Sequence, residues 1–188
     1  MAGGRSRRMG SDKAWLDLGD GVPIVRRAIA ALAAVADEVF IVANDPRYET
    51  LGLRVVADRY PEGGPLGGIA TAVSAAAGDP ILVAACDMPF QSAAAWRLLL
   101  ALAPGHDAVV PRVSGEFETL HAVYARSCLA AMESALASGR MRVISFFAEV
   151  RVREVTEDEL RVVDPELRSF TNLNTPGELA AARRAVIT

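Results

Sequence analysis

The sequence predicts a single α/β domain, 1–188, built as a Rossmann-like, mostly parallel sheet with helices on both faces. Three observations predict it. A length of 188 residues with 52% hydrophobic and 23% charged side chains suits one compact domain with a sizeable core, and it excludes intrinsic disorder. Along the chain, apolar residues at helical spacing alternate with short β-branched runs. Finally, the run 80–85 is apolar on both faces and ends in Cys86-Asp87, which puts a carboxylate at the strand's carboxyl end, where open α/β sheets hold their ligands.

The elements follow from local chemistry. Residues 22–36 carry apolar side chains at helical spacing and lead into 38–43, whose valine, phenylalanine and isoleucine suit a buried strand. A second short strand is expected over 54–57. The alanine-rich 66–77 favours a helix, followed by the central strand 80–85. Ser92 is placed to cap a helix over 92–102, and 107–111 reads as a strand. This βαβα order calls for right-handed crossovers in a parallel sheet. Farther on, the sequence predicts a strand over 118–124, helices over 127–136 and 143–148, and a strand over 150–155 with alternating apolar and charged residues. The stretch 170–176 reads as a turn, and Pro176 opens a last helix at a position where proline is tolerated. No fixed-period repeat and no composition break marks a second domain.

Charge and cysteine usage narrow the function classes. A formal net charge of −3 disfavours a nucleic-acid backbone as partner, so any bound anion must meet a local site. Cys86 and Cys128 are too few for a disulfide framework and too far apart for a zinc cluster, which fits a reduced compartment. The basic start of the chain is followed by Asp12, Lys13 and Asp17 rather than an apolar stretch, so it does not resemble a signal peptide. The apolar runs 29–36 and 81–86 fall short of the roughly 18 residues of a membrane span. The expectation is a soluble, cytoplasmic protein with neither nucleic acid nor membrane as partner.

One residue stands apart in composition. Of 20 cationic side chains, the only lysine is Lys13; every other one is arginine. An arginine-heavy, alanine-heavy chain places arginine wherever a generic positive charge suffices, so Lys13 marks a position where a compact ammonium is required and a planar guanidinium is not. It closes the segment Gly3-Gly4-Arg5-Ser6-Arg7-Arg8-Met9-Gly10-Ser11-Asp12-Lys13, in which glycines let backbone N–H groups approach phosphate oxygens and cations offset polyphosphate charge. The spacing is neither that of a Walker A loop nor that of the dinucleotide fingerprint. An arginine-rich tail is the bland alternative.

Asp87 is a natural Mg²⁺ ligand, because that ion takes one or two carboxylates and fills its shell with phosphate oxygens and water. Asp58, just after the 54–57 strand, can occupy the same rim. A lone aspartate in either place equally serves as a helix cap. The cluster Gly63-Gly64-Pro65-Leu66-Gly67-Gly68 opens a helix and either admits a flat base against the backbone or makes a tight turn. Asn172 and Asn174 offer paired amides beside a helix start, although asparagine is also an ordinary turn residue. His106 reads as a loop residue, and His121 as core or pocket. Two histidines and no Gly-x-Ser-x-Gly elbow give little support to hydrolase chemistry. Cys86, between apolar and acidic neighbours, is expected to pack rather than react.

The stretch Ala2-Gly3-Gly4-Arg5-Ser6-Arg7-Arg8-Met9-Gly10-Ser11-Asp12-Lys13-Ala14 resembles the nucleotide-binding signature of the molybdenum cofactor guanylyltransferases. Gly64-Pro65-Leu66-Gly67-Gly68, Cys86-Asp87-Met88-Pro89 and Asn172-Leu173-Asn174-Thr175-Pro176 resemble that family's later motifs, in the same order. The resemblance implies transfer of GMP from GTP to the phosphate of molybdopterin, with pyrophosphate released. It implies that Ala2, Gly3, Gly4, Lys13, Asn44, Asp58, Gly67 and Asp87 bind GTP and that Asp87 holds Mg²⁺; the need to neutralise the triphosphate independently makes Lys13, Asp87 and Arg8 the expected catalytic set. Asn172, Asn174, His121 and Arg140, with Arg112 and Arg142, are the candidates for the molybdopterin side. Proteins that insert molybdenum, or the molybdoenzymes themselves, are implied as transient partners.

Three departures and alternatives accompany it. Val42 stands where the family carries an amide, which leaves Asn44 alone for that contact. Related cytidylyltransferases tend to carry Ala-Ala-Gly where this chain has Ala2-Gly3-Gly4, so the additional glycine, with no Cβ, leaves more room for a purine and GTP is favoured over CTP. The family also places an apolar strand directly before this motif, and Met1 stands where that strand should finish; a misassigned start codon would explain it. The alternatives are a nucleotidyltransferase that uses CTP or a sugar phosphate, and a non-catalytic nucleotide-binding module.

Overall fold

A computed structural model describes residues 13–173 and 175–187, and the predicted contributions of Ala2, Gly3, Gly4, Arg8 and Asn174 lie outside the described residues. A 3₁₀ turn, Lys13–Trp15, precedes helix α1 (Ile24–Ala33), which turns Ile24, Val25 and Ala28 inward. Strands β1 (Ile41–Val42) and β2 (Val55–Val56) pair in parallel, joined through the 3₁₀ segment Pro46–Leu51, whose start Asp45 caps by accepting from Arg47 N–H at 2.9 Å. Helix α2 (Gly64–Ala75) then crosses to β3 (Ile81–Ala84). Buried from Leu66 to Val73, α2 lies between the sheet and helix α4 (Leu129–Ala137). Helix α3 (Ala93–Ala101), capped by Ser92 as expected, covers the opposite face with Trp96 and Leu99.

The helix-on-both-faces class is as predicted, but the sheet is mostly antiparallel. The larger sheet has the order β3, β6 (His121–Tyr124), β4 (Ala108–Val113), β5 (Glu116–Phe117), with β7 (Val152–Val155) pairing to β4. Three of the five described pairings are antiparallel: β3 with β6, β4 with β6, and β4 with β5. The reason is local. Ser114 and Gly115 both take positive φ, 52° and 83°, which makes a two-residue turn whose twist suits a hairpin. With no room for a crossover helix before residue 121, β6 must return antiparallel, and it inserts between β3 and β4. Beyond β7, a capping box of Thr156 and Glu159 starts the short helix α5 (Glu157–Arg161), and α6 (Pro176–Ile187) closes the chain.

The core lies on both faces of the larger sheet. One cluster gathers Leu66, Ile69, Val73, Val83, Tyr124 and Phe146; the other gathers Trp96, Leu99, Val109, Val155 and Leu160. Asp107 pins the amino end of β4. It accepts from the Arg151 backbone N–H at 2.9 Å, from its guanidinium at 3.0 and 3.1 Å, and from Ser127 Oγ at 2.7 Å, contacts that hold its carboxyl far below the usual range.

His121 sits in the second cluster, not in a ligand pocket. Fully buried, its ring stacks on Trp96 with centroids 3.9 Å apart and leans on Phe170 at 4.7 Å, and neither ring nitrogen has a hydrogen-bond partner. That corrects its expected contact with molybdopterin, since the ring has no surface to offer. Burial lowers its pKa to about 3, against an opposing pull from Asp164. Below the unfolded value near 6.5 the unfolded chain takes up a proton that the folded chain refuses, so stability falls as pH drops by about 1.4 kcal/mol per unit, ending only near the folded value. Between pH 7 and 5 the protein should lose about 2 kcal/mol from this group. His121→Phe, which keeps the stack, should flatten that slope. Urea midpoints of both proteins at the two pH values check this, and equal slopes would contradict it.

Candidate active site

The site is built at the carboxyl ends of β1, β2 and β3. Strand β3, apolar and bonded to β6 throughout, delivers Asp87 three residues past its end. The Lys13 ammonium lies 3.7 Å from Asp87 Oδ2, and the two side chains are only 15% and 30% exposed. Partial burial makes the pair stronger than a surface ion pair while leaving a face of each open to a ligand. Lys13 is placed by its own turn: Leu16 N–H donates to the Lys13 carbonyl at 3.1 Å, and Ala14 is buried with Val25, Ile41 and Tyr48. The compositional outlier and the strand-end acid therefore meet.

Two further expected residues also come together. Asp58 N–H donates to Asn44 Oδ1 at 2.9 Å, joining the loops after β1 and β2. Asp58 Oδ1 accepts from Tyr60 N–H at 2.9 Å and from Thr71 Oγ1 at 3.0 Å. Thr71 is a fully buried hydroxyl on α2 that sequence reasoning missed; it also accepts from Arg59 N–H at 3.1 Å. Asp58 therefore shapes its own loop first, and what it can offer a nucleotide is its second carboxylate oxygen. The pairing leaves the Asn44 amide with N–H donors to present.

Gly67 is explained by packing. A Cβ there would lie 2.5 Å from the Tyr60 carbonyl and 2.8 Å from its Cβ, so only glycine lets the 60–64 turn close on the helix. Gly64, at φ +57°, makes the entry into α2 that Pro65 then continues. The twelve-residue helix aims the positive end of its dipole along this turn.

The turn after residue 170 reaches the site through the backbone. Leu173 N–H donates to the Asp87 carbonyl at 3.1 Å and its side chain is fully buried beside Leu18 and Ile24, which holds half-buried Asn172 next to Asp87. Arg140 goes elsewhere. It donates to the Ser145 carbonyl at 2.8 Å and pairs with Glu149 at 3.0 Å, and no described contact joins it to Lys13 or Asp87. Arg112 likewise binds the Gly115 carbonyl and Glu154. Glu118 was not foreseen. Its N–H donates to the Pro111 carbonyl and its carbonyl accepts from His121 N–H, leaving the half-buried side chain within electrostatic reach of Asp87. Burial, and then the Asp87 charge, raise its carboxyl above the usual range. A lone glutamate between two strands carries no signal in the sequence.

Residues 1–153 match the model of the MobA-like NTP transferase domain. This chain belongs to that family. Among curated members, a probable molybdenum cofactor guanylyltransferase of Pelotomaculum thermopropionicum is 41% identical over 97% of this chain and 89% of its own. The molybdenum cofactor guanylyltransferase of Desulfosudis oleivorans is 36% identical over 99% of this chain and 93% of its own. Among solved structures, molybdopterin-guanine dinucleotide biosynthesis protein A from Archaeoglobus fulgidus superposes with a TM-score of 0.84 at 27% identity, covering 99% of this chain and 96% of that one. A cytidylyltransferase from Thermus thermophilus, at 18% identity and a TM-score of 0.70, shares the fold.

Proposed function

We propose that this chain is a molybdenum cofactor guanylyltransferase: it moves GMP from GTP to the phosphate of molybdopterin and releases pyrophosphate. The observation that carries the reading is the 3.7 Å approach of the chain's only lysine to a partly buried carboxylate just past the end of β3. Its relatives' names support it.

The chemistry follows from charge. A molybdopterin phosphate oxygen attacks the α-phosphorus of GTP, a new P–O bond forms, and the bond to the β-phosphate breaks with its electron pair leaving on pyrophosphate. Both reactants are anions, so the protein's main work is neutralisation and alignment, with no side chain acting as nucleophile. Lys13 supplies a fixed positive charge to the triphosphate. Asn44 and Asp58 hold the nucleoside end by hydrogen bonds from their joined loops. Asn172, tied to Asp87 through Leu173, lines the approach of the acceptor phosphate.

Asp87 suits Mg²⁺. Among the described residues no group of three or more histidines, cysteines or acids gathers, so an ion there would have one strong protein ligand and would complete its shell with phosphate oxygens and water, the pattern of this cation. When bound it would withdraw charge from the α-phosphate. GTP is the expected donor, because the Ala2-Gly3-Gly4 stretch carries one glycine more than the Ala-Ala-Gly of related cytidylyltransferases, and a residue without a Cβ leaves more room for a purine.

The test is pyrophosphate release with molybdopterin as acceptor, with GTP, CTP and ATP supplied in turn, with and without Mg²⁺. Turnover is expected from GTP alone, and chelation should abolish it. Equal release from CTP would overturn the base assignment. Tight GTP binding with no release would overturn the activity.

A further inference from the structure

Tyr60 stands at the centre of the loop 57–63 between β2 and α2. Its N–H donates to Asp58 Oδ1 at 2.9 Å, an Asx-turn that sets the rotation of the carboxylate. Its carbonyl accepts from Gly63 N–H at 2.7 Å and bears on Gly67, where a Cβ would come within 2.5 Å. The peptide groups on both sides of Tyr60 are therefore engaged, one with the acid and the other with the start of α2. A displacement of this residue is felt at both.

The inner side of the loop is tied to its own neighbours, Asp58 N–H to Asn44 and Arg59 N–H to Thr71 on α2. The outer side is tied to α4. There the Tyr60 hydroxyl donates to Glu133 Oε1 at 2.8 Å, among the described residues the only hydrogen bond from this loop to that helix. The helix is a firm anchor: Met132 and Ala135, on either side of Glu133, are fully buried, and Leu136 closes against Gly63, whose Cβ would lie 2.8 Å from its Cδ2. A carboxylate acceptor makes the bond stronger than one between neutral groups. The hydrogen bond to Glu133, and then burial, raise the Tyr60 hydroxyl above its usual range, so the proton stays on the phenol at neutral pH.

Packing does not require that hydroxyl. The Tyr60 ring already lies against the core cluster of Leu66, Ile69 and Met132, a place that a phenylalanine ring fills as well. What the hydroxyl adds is aim. We propose that Tyr60 and Glu133 form a strut that directs Asp58 at the nucleoside of the donor nucleotide, with Tyr60 as the positioning residue and Glu133 as its fixed point on α4. The inference rests on the reading of Asp58 as a nucleoside contact. Both side chains act through that carboxylate. Released at its tip, the ring swings, the Tyr60 N–H leaves Oδ1, and the acid gains a rotational freedom that nucleotide binding must then remove.

The experiment compares Tyr60→Phe and Glu133→Leu with Glu133→Gln, which keeps an acceptor oxygen for the phenol. The first two are expected to raise KM for GTP by about 10-fold, with kcat within about twofold of the parent and KM for molybdopterin unchanged. In the nucleotide-free protein they should also speed exchange of the Gly63 amide by about 10-fold. Glu133→Gln should match the parent in every one of these readouts. Parent-like KM for GTP and parent-like Gly63 exchange in Tyr60→Phe would overturn the strut. So would a Glu133→Gln protein as impaired as Glu133→Leu, because helix packing and not the acceptor would then be the cause. A fall in kcat with KM unchanged would overturn the positioning role, and a Tyr60→Phe chain that does not fold would show a bond that holds the domain rather than aims an acid. A parent without GTP turnover removes the proposed reaction and this role with it, whereas an active parent beside an unaltered Tyr60→Phe removes this role alone.

Discussion

Asp87→Asn is expected to cut turnover with GTP and molybdopterin by two to three orders of magnitude, about 3 kcal/mol or more of transition-state stabilisation. An amide is the same size as the carboxylate, but it cannot offer a divalent cation a full negative charge. The fold should survive, because the contact that ties Asp87 to the 170–176 turn runs through its backbone carbonyl to Leu173 N–H and not through the side chain. Thermal midpoints within about 2 °C of each other, together with the collapse in turnover, are the expected pair. Near-normal turnover would remove Asp87 from the metal role.

Lys13→Arg should be almost as damaging. Arginine keeps the charge, and the chain uses it at every other cationic position. Lys13, however, is only 15% exposed and stands 3.7 Å from Asp87, and a wide guanidinium fork in that space must move either the acid or the phosphate. A loss of about 100-fold in kcat/KM for GTP is expected, with little change in stability, since a partly exposed ion pair contributes modestly. Lys13→Met should behave like the arginine variant. An arginine variant as active as the parent would show that the site needs a charge and not a shape.

Both substitutions fall on residues that stand out in the sequence itself: Lys13 by composition, Asp87 by its place after an apolar run. Strand β3, capped helix α3 and the helices of the two faces were legible because burial and periodicity are local signals. Other features were not. Ser114 is a poor marker of a hairpin, so the antiparallel insertion of β6, and with it the departure from a parallel sheet, could not be read. His121 reads as core or pocket, and its candidacy for the molybdopterin side fails because a strand pattern does not tell which histidine a tryptophan on a distant helix will cover. Arg140 looked available, yet Ser145 and Glu149, brought round by the following 3₁₀ segment, occupy it.

Family, class and the chemical character of the site are written in the chain itself, because residue type, short spacings and hydrophobic period survive in one dimension. The partners are not. That Asn44 serves Asp58, that Gly67 yields to the Tyr60 carbonyl, and that Thr71 and Glu118 belong to the site's surroundings all depend on contacts between segments far apart in sequence. Such contacts are set by how layers pack, and packing answers to the whole volume of the core rather than to any one stretch of it.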